Sequence, residues 1–206
     1  SRDEADEWEK KVEREFNFWA ESKQCDIKGI DNFYELQQIA LMGWLLNGDS
    51  FGLIKHVKST KCMPYSLRLQ LIEADRVCNP NNQFQTVIEA ENRNKIISGV
   101  EINKAGMAVA YHICNEYPSE LPSLNKEWIR INSVGEKTGL PNVIHLMEGE
   151  RAEQYRGVPF LAVVIESIKQ MTRYTEAELM AAVINGFFTV FITTENGNDS
   201  IGIENM

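Results

Sequence analysis

At Gly48 the hydrophobic period of the chain changes, and that change most constrains what the chain folds into. Upstream, "NFYELQQIALMGWLL" carries apolar residues at helical spacing, with Asp31 placed as its N-cap and Asn47 and Gly48 as its C-terminal cap. Downstream, "SFGLIKHVK" sets Phe51, Leu53 and Val57 in the alternation of a half-buried strand. No Pro/Gly-rich linker separates the two, so helices and sheet belong to one body.

The same two periods organise the rest of the chain. Trp8, Val12, Phe16 and Trp19 recur every three to four residues with charges between them, predicting an amphipathic first helix. "YSLRLQLIE" alternates Leu67, Leu69 and Leu71 with Arg68 and Gln70, a second strand. "NPNNQFQTVIEAENRN" is polar and turn-rich. It leads into "KIISGVEINKAGMAVAYHI", two strand-like runs joined at "NKAG", a hairpin signal. "EWIRINSV" and "NVIHLME" add two strands, and "FLAVVIESIKQMTRYTEAELMAAVING" predicts a long helix ended by Gly186, with "FFTVFITT" as a last strand. The expected fold is a single α+β region over 1–206: an antiparallel sheet or meander flanked by N-terminal helices and one long C-terminal helix. Its divisions are 1–48 helical, 49–150 mainly β, 151–190 long helix and strand, and 191–206 a loose tail.

Charge and cysteine usage narrow the function. With 21 Lys+Arg against 30 Asp+Glu the net charge is −9, which argues against a sequence-reading grip on nucleic acid, since that grip needs a basic face. Cys25, Cys62, Cys78 and Cys114 are far apart and show no C-x-x-C spacing, so neither a zinc site nor a disulfide framework is signalled. No apolar run is long enough to span a bilayer, and the charged start "SRDEADEWEKK" is unlike a signal peptide. Ser1 in place of an initiator methionine reads as a trimmed fragment.

Chemistry has few handles. His56, His112 and His145 each fall in a strand-like run without a second ligand at metal spacing, so they read as strand histidines satisfied by hydrogen bonds. The sequence lacks G-x-S-x-G, G-x-x-x-x-G-K-[ST] and G-x-G-x-x-G. No catalytic residue, metal or cofactor is expected. Glu148, Glu150 and Glu153 cluster near Arg151 and Arg156, read first as an ion-pair network and only second as an acid–base site beside His145.

The segment that stands out is "RAEQYRGVP", residues 151–159. Arg151 and Arg156 offer planar, permanently charged forks, and Gln154 can bond backbone on either side. Gly157 permits a backbone angle that other residues resist, and Pro159 suits the first turn of a helix. These five residues form the candidate motif, either a loop pinned within its own chain or a contact between subunits.

Around that motif, "HLMEGERAEQYRGVPFLAVVIESIKQMTRYTEAELMAA" resembles the lambda-type family of phage portal proteins. "DNFYELQQIALMGWLLNGDSFGLI", "LQLIEADRV" and "GVEINKAGMAVAYHI" are similar to further blocks of that family, in the same order, over roughly residues 16–190. Glu153 stands where the family pattern leads one to expect glycine. Lambda-type portals are much longer, so the chain resembles their N-terminal part, mainly the wing, with stem, clip and crown largely absent. The resemblance implies a structural, non-enzymatic subunit of a ring, usually dodecameric, at one capsid vertex of the virion, assembled in the bacterial host cytoplasm. It further implies passage of double-stranded DNA without sequence preference and docking to terminase, capsid and head–tail joining proteins, with no membrane partner. The rival readings are a protein-binding adaptor that takes one partner at fixed stoichiometry and, behind it, a carboxylate-dependent hydrolase.

Overall fold

The structure, a computed structural model, describes residues 2–80, 87–118 and 126–187. The chain divides into two compact units, residues 1–162 and 163–206. In the first, helix α1 (Arg2–Glu21) precedes helix α2 (Phe33–Asn47). Asn32, and not Asp31, caps α2: its Oδ1 accepts from Glu35 N at 2.9 Å, while the Glu35 carboxylate accepts from Asn32 N at 2.7 Å. This reciprocal box satisfies two otherwise orphaned donors, which Asp31, one residue earlier, could not do. Gly48 ends α2 in the left-handed region (φ +87°) and donates to Trp44 O at 2.8 Å, as its position in the sequence required.

Strand β1 (Asp49–His56) follows without a linker and lies at the centre of a three-stranded antiparallel sheet, between β2 (Leu67–Ile72) and β8 (Val143–Met147). Phe51 is opposite Ile72 on one side and His145 on the other. The second sheet is a five-stranded meander, β3 (Val87–Glu89), β4 (Lys95–Ile97), β5 (Val100–Ile102), β6 (Ala108–Cys114) and β7 (Trp128–Asn132).

Two cores explain why β1 departs from half-burial. Phe51, Leu53 and Ile72 of the first sheet pack with Val100, Ile102, Tyr111 and Ile113 of the second. On the other face, Leu67, Leu69 and Leu71 of β2 meet Trp19, Ala20, Leu36 and Met63. The three-stranded sheet is therefore covered on both sides, and residues 49–53 are buried at every position. Alternation in sequence cannot reveal a strand covered on both faces, because the covering elements lie elsewhere in the chain. Where α2 passes over β1, a Cβ on Gly43 would meet Ser50 Oγ at 3.4 Å, an ordinary van der Waals contact.

Other differences from the sequence reading are local. The run expected as one strand over "KIISGVEI" is broken by Ser98 and Gly99, both at positive φ (46° and 88°), a two-residue hairpin turn that produces β4 and β5. β3 falls inside the stretch read as polar and turn-rich. β8 pairs with β1 and not with β7, so the strands divide between two sheets. The "NKAG" hairpin forms as expected, with Asn103 Oδ1 accepting from Ala105 N and Met107 N at 2.9 and 3.0 Å.

In the second unit, α3 (Ile165–Phe187) follows a 3-10 turn over Phe160–Val164. Pro159 thus opens a 3-10 turn, its carbonyl accepting from Ala162 N at 3.0 Å, instead of the first turn of the α-helix. Gly186 lies within α3 and does not end it. None of the α3 residues is buried. The expected strand "FFTVFITT", but for Phe187, and the tail 191–206 lie outside the described residues. Among the described residues no helix is long and apolar enough to cross a membrane.

Candidate functional site

The arginine loop is built around one buried ion pair. Asp49, the first residue of β1, is 1 % exposed, and a carboxylate there needs a partner. Arg156 supplies it: Nε donates to Asp49 Oδ2 at 2.6 Å and an Nη2 hydrogen goes to Oδ1 at 3.2 Å. The remaining donors reach backbone, Nη1 to Val77 O at 2.6 Å and Ser98 O at 2.7 Å, Nη2 to Ala74 O at 2.9 Å. All five N–H donors of the guanidinium are thus committed inside the chain. They join the first strand of one sheet, the 3-10 turn after β2 and the β4–β5 turn of the other sheet. The guanidinium also lies over the Phe51 ring, 5.3 Å from its centroid, and that ring stacks on His145 at 4.2 Å.

Asp49 Oδ2 additionally accepts from Gly157 N at 3.1 Å and faces His145 Nε2 at 3.4 Å. Burial alone would raise the carboxyl, but the hydrogen bonds from His145 and Arg156 and the Arg156 charge outweigh it, and the net effect holds Asp49 below the ordinary carboxylate range. His145 therefore meets Asp49, not the glutamates of the loop. Glu148, Glu150 and Glu153 are exposed, and the carboxylate that Arg156 takes is 107 residues away in sequence.

Gln154 ties the loop to itself. Its Oε1 accepts from Glu150 N at 2.9 Å and Arg151 N at 3.2 Å, and its Nε2 donates to Arg156 O at 2.9 Å, the bonding to both sides that its sequence position suggested. Glu153 adopts φ +62°, the left-handed conformation for which glycine is the usual residue. Gly157 is required for a different reason than a backbone angle. Its φ is not positive, and a Cβ there would overlap the Gly48 carbonyl, while a Cβ on Gly48 would lie 2.6 Å from Gly157 C. Two glycines pack face to face where the helix cap, the strand start and the arginine loop meet. Tyr155 donates from its hydroxyl to Gly106 O at 2.9 Å, adding the β5–β6 hairpin to the junction. Arg151 is exposed and is the member of the motif whose charge faces solvent.

A second buried carboxylate escaped the sequence reading. Glu101 on β5 has no exposed side-chain surface and accepts from Arg130 Nε (2.7 Å) and Nη2 (2.9 Å), from the side-chain amides of Asn92 and Asn94 (2.7 Å each) and faces His112 Nε2 at 3.0 Å. The Arg130 hydrogen bond, opposed by burial and reinforced by the two asparagines and His112, pushes its carboxyl far below the ordinary value. A carboxylate so stabilised is too weak a base to take a proton near neutrality. It borders a cleft of about 670 Å³ that also meets Ile88, Lys126 and Trp128. The signal available in the sequence was an acid alone between Val100 and Ile102 of an apolar strand; Asp49, at the head of one, gave the same signal.

Both histidines of the interior are hydrogen-bonded to these carboxylates, and His56 faces Ser66 Oγ at 3.4 Å. Among the described residues no group of three His, Cys, Asp or Glu side chains could hold a metal ion, and all four cysteines are free thiols.

Fold and junction together define a class: an α+β protein in which the buried carboxylates of Asp49 and Glu101 are spent on bracing antiparallel sheets. The chain belongs to the lambda family of phage portal proteins, whose family model matches residues 1–204 of its 206. That family is structural and a component of the capsid, and the mixed fold with a long C-terminal helix is the one that the spacing of apolar residues predicted.

Proposed function

We propose that the chain acts as part of one subunit of a portal ring at a single capsid vertex, forming a conduit for double-stranded DNA and a dock for terminase, capsid and head–tail joining proteins. The family match over nearly the whole chain carries this reading. Within it, residues 1–206 correspond to the wing, assembled while the virion forms in the bacterial cytoplasm, and the ring itself makes and breaks no covalent bond. The buried charges support that role. Asp49 with Arg156 and Glu101 with Arg130 lock strand positions, and each carboxylate is held in its ionised form. A net charge of −9 suits a passage through which a polyanion slides, because a basic lining would multiply counterion-release affinity around the ring.

In the candidate motif, Arg156, Gln154, Gly157 and Pro159 brace the chain's own fold, and exposed Arg151 is the residue offered to a neighbouring subunit. Electron microscopy of the gene product that carries this chain tests the ring reading. Particles with an axial hole and rotational symmetry are expected; uniformly small particles without a hole would refute it.

A further inference from the structure

Helix α1 leaves its own core early. Only Trp19 and Ala20 are buried, yet the apolar stripe runs on through Phe16 and Val12 to Trp8, which are 46 %, 44 % and 68 % exposed. Beside that stripe, Asp3, Glu4, Asp6, Glu7 and Glu9 crowd the first nine residues against the single cation Arg2, all of them exposed.

A surface of opposite character lies on the five-stranded sheet. Between the β3–β4 turn, the β5–β6 hairpin and the arginine loop runs a cleft of about 510 Å³. Arg93, Lys95 and Lys104 line it against one carboxylate, Glu153, with Ile97 and Tyr155 supplying apolar wall. In a chain of charge −9 this is a local excess of cations, and none of the three makes an ion pair among the described residues. No residue of α1 lines the cleft, so the acidic turns of the same chain do not fill it.

We propose that the acidic first turns of α1 from a second copy of this chain occupy the basic cleft, with Trp8 against its apolar wall. The inference rests on the ring reading and names the surfaces that meet. It is a head-to-tail contact: each copy presents residues 3–9 to one neighbour and Arg93, Lys95 and Lys104 to the other, so repetition closes a ring if the rotation fits. Exposed charge pairs are individually weak and screened by salt, so assembly through this contact falls as ionic strength rises.

Two charge-reversed forms of the full gene product test it, one carrying R93E, K95E and K104E, the other D6K, E7K and E9K. Circular dichroism confirms folding, and native mass spectrometry reads assembly. Each form alone loses the oligomer, because like charges face each other. Mixed in equal amounts they regain it, since a reversed helix meets a reversed cleft and the parental pair remains. In the unaltered protein, a zero-length carbodiimide joins a carboxylate among residues 3–9 to the amine of Lys95 or Lys104 with loss of water, and that peptide is found only in the oligomer.

Rings that persist in both single forms, or an oligomer without that cross-link, overturn the proposal and leave the ring reading standing. Duplex DNA retained by the parent and released by the cleft variant, with assembly unchanged, reassigns the cleft to DNA. A parent that never associates removes both the proposal and the ring reading.

Discussion

Arg156 ties three separate segments together, because five donors of one planar group converge on them. Lysine has neither the fork nor the reach to replace it. Arg156→Lys is expected to lower unfolding free energy by about 2 kcal/mol, since carbonyls of Ala74, Val77 or Ser98 lose their donor; urea denaturation measures it, and an unchanged midpoint would show the fork to be dispensable. Asp49→Asn leaves the arginine without a counter-charge in a largely buried setting and costs about 3 kcal/mol by the same assay. The carboxyls of Asp49 and Glu101 sit below their ordinary values, so the unfolded chain binds protons that the folded chain refuses. Their contribution is complete above the ordinary carboxylate values, about pH 4, and drains away as pH falls toward the depressed ones. A melting-temperature series from pH 7 to 3 is expected to fall steeply only at its acid end, more shallowly in Asp49→Asn. Glu153 presents the opposite case, a side chain where the backbone favours glycine. Glu153→Gly relieves the left-handed strain and is expected to raise stability by about 0.5 kcal/mol, the strain of one such residue less the entropy glycine adds to the unfolded chain.

At the scale of elements, the meeting of α2, β1 and the arginine loop rests on Gly48 and Gly157 packed against each other. Gly157→Ala forces the loop away from the Gly48 carbonyl and is expected to cost about 3 kcal/mol, with loss of the Asp49–Gly157 hydrogen bond. A thermal melt within about a degree of the parent would contradict it. The sequence made both helices of the first unit, the order of the long strands and the "NKAG" turn readable, because each follows from local spacing and turn chemistry. It did not show that Ser98 and Gly99 turn the chain, since an apolar run on either side of them masks the break. Nor did it show the partition into two sheets: the pairing of β1 with β8 spans about ninety residues, and spacing holds no record of it. The candidate loop was visible through its glycine, proline and arginines. Its partner Asp49 was not, because a buried ion pair 107 residues apart in sequence leaves only a lone acid at a strand end.

On the scale of the whole molecule, the charges fall into two groups with different tasks. Asp49, Glu101, Arg130 and Arg156 hold sheets in register within the chain, and Arg151, the acidic end of α1 and the basic cleft remain on the surface where other copies or other virion proteins would meet them. Such a division suits a subunit whose work is geometric. The central claim, that this chain's gene product functions as one of several identical copies around a passage, is tested most directly by the mass of the assembled particle. Native mass spectrometry of that product, at low ionic strength and micromolar concentration, is expected to give one closed multiple of the subunit mass. A single-subunit mass at every concentration would contradict the account.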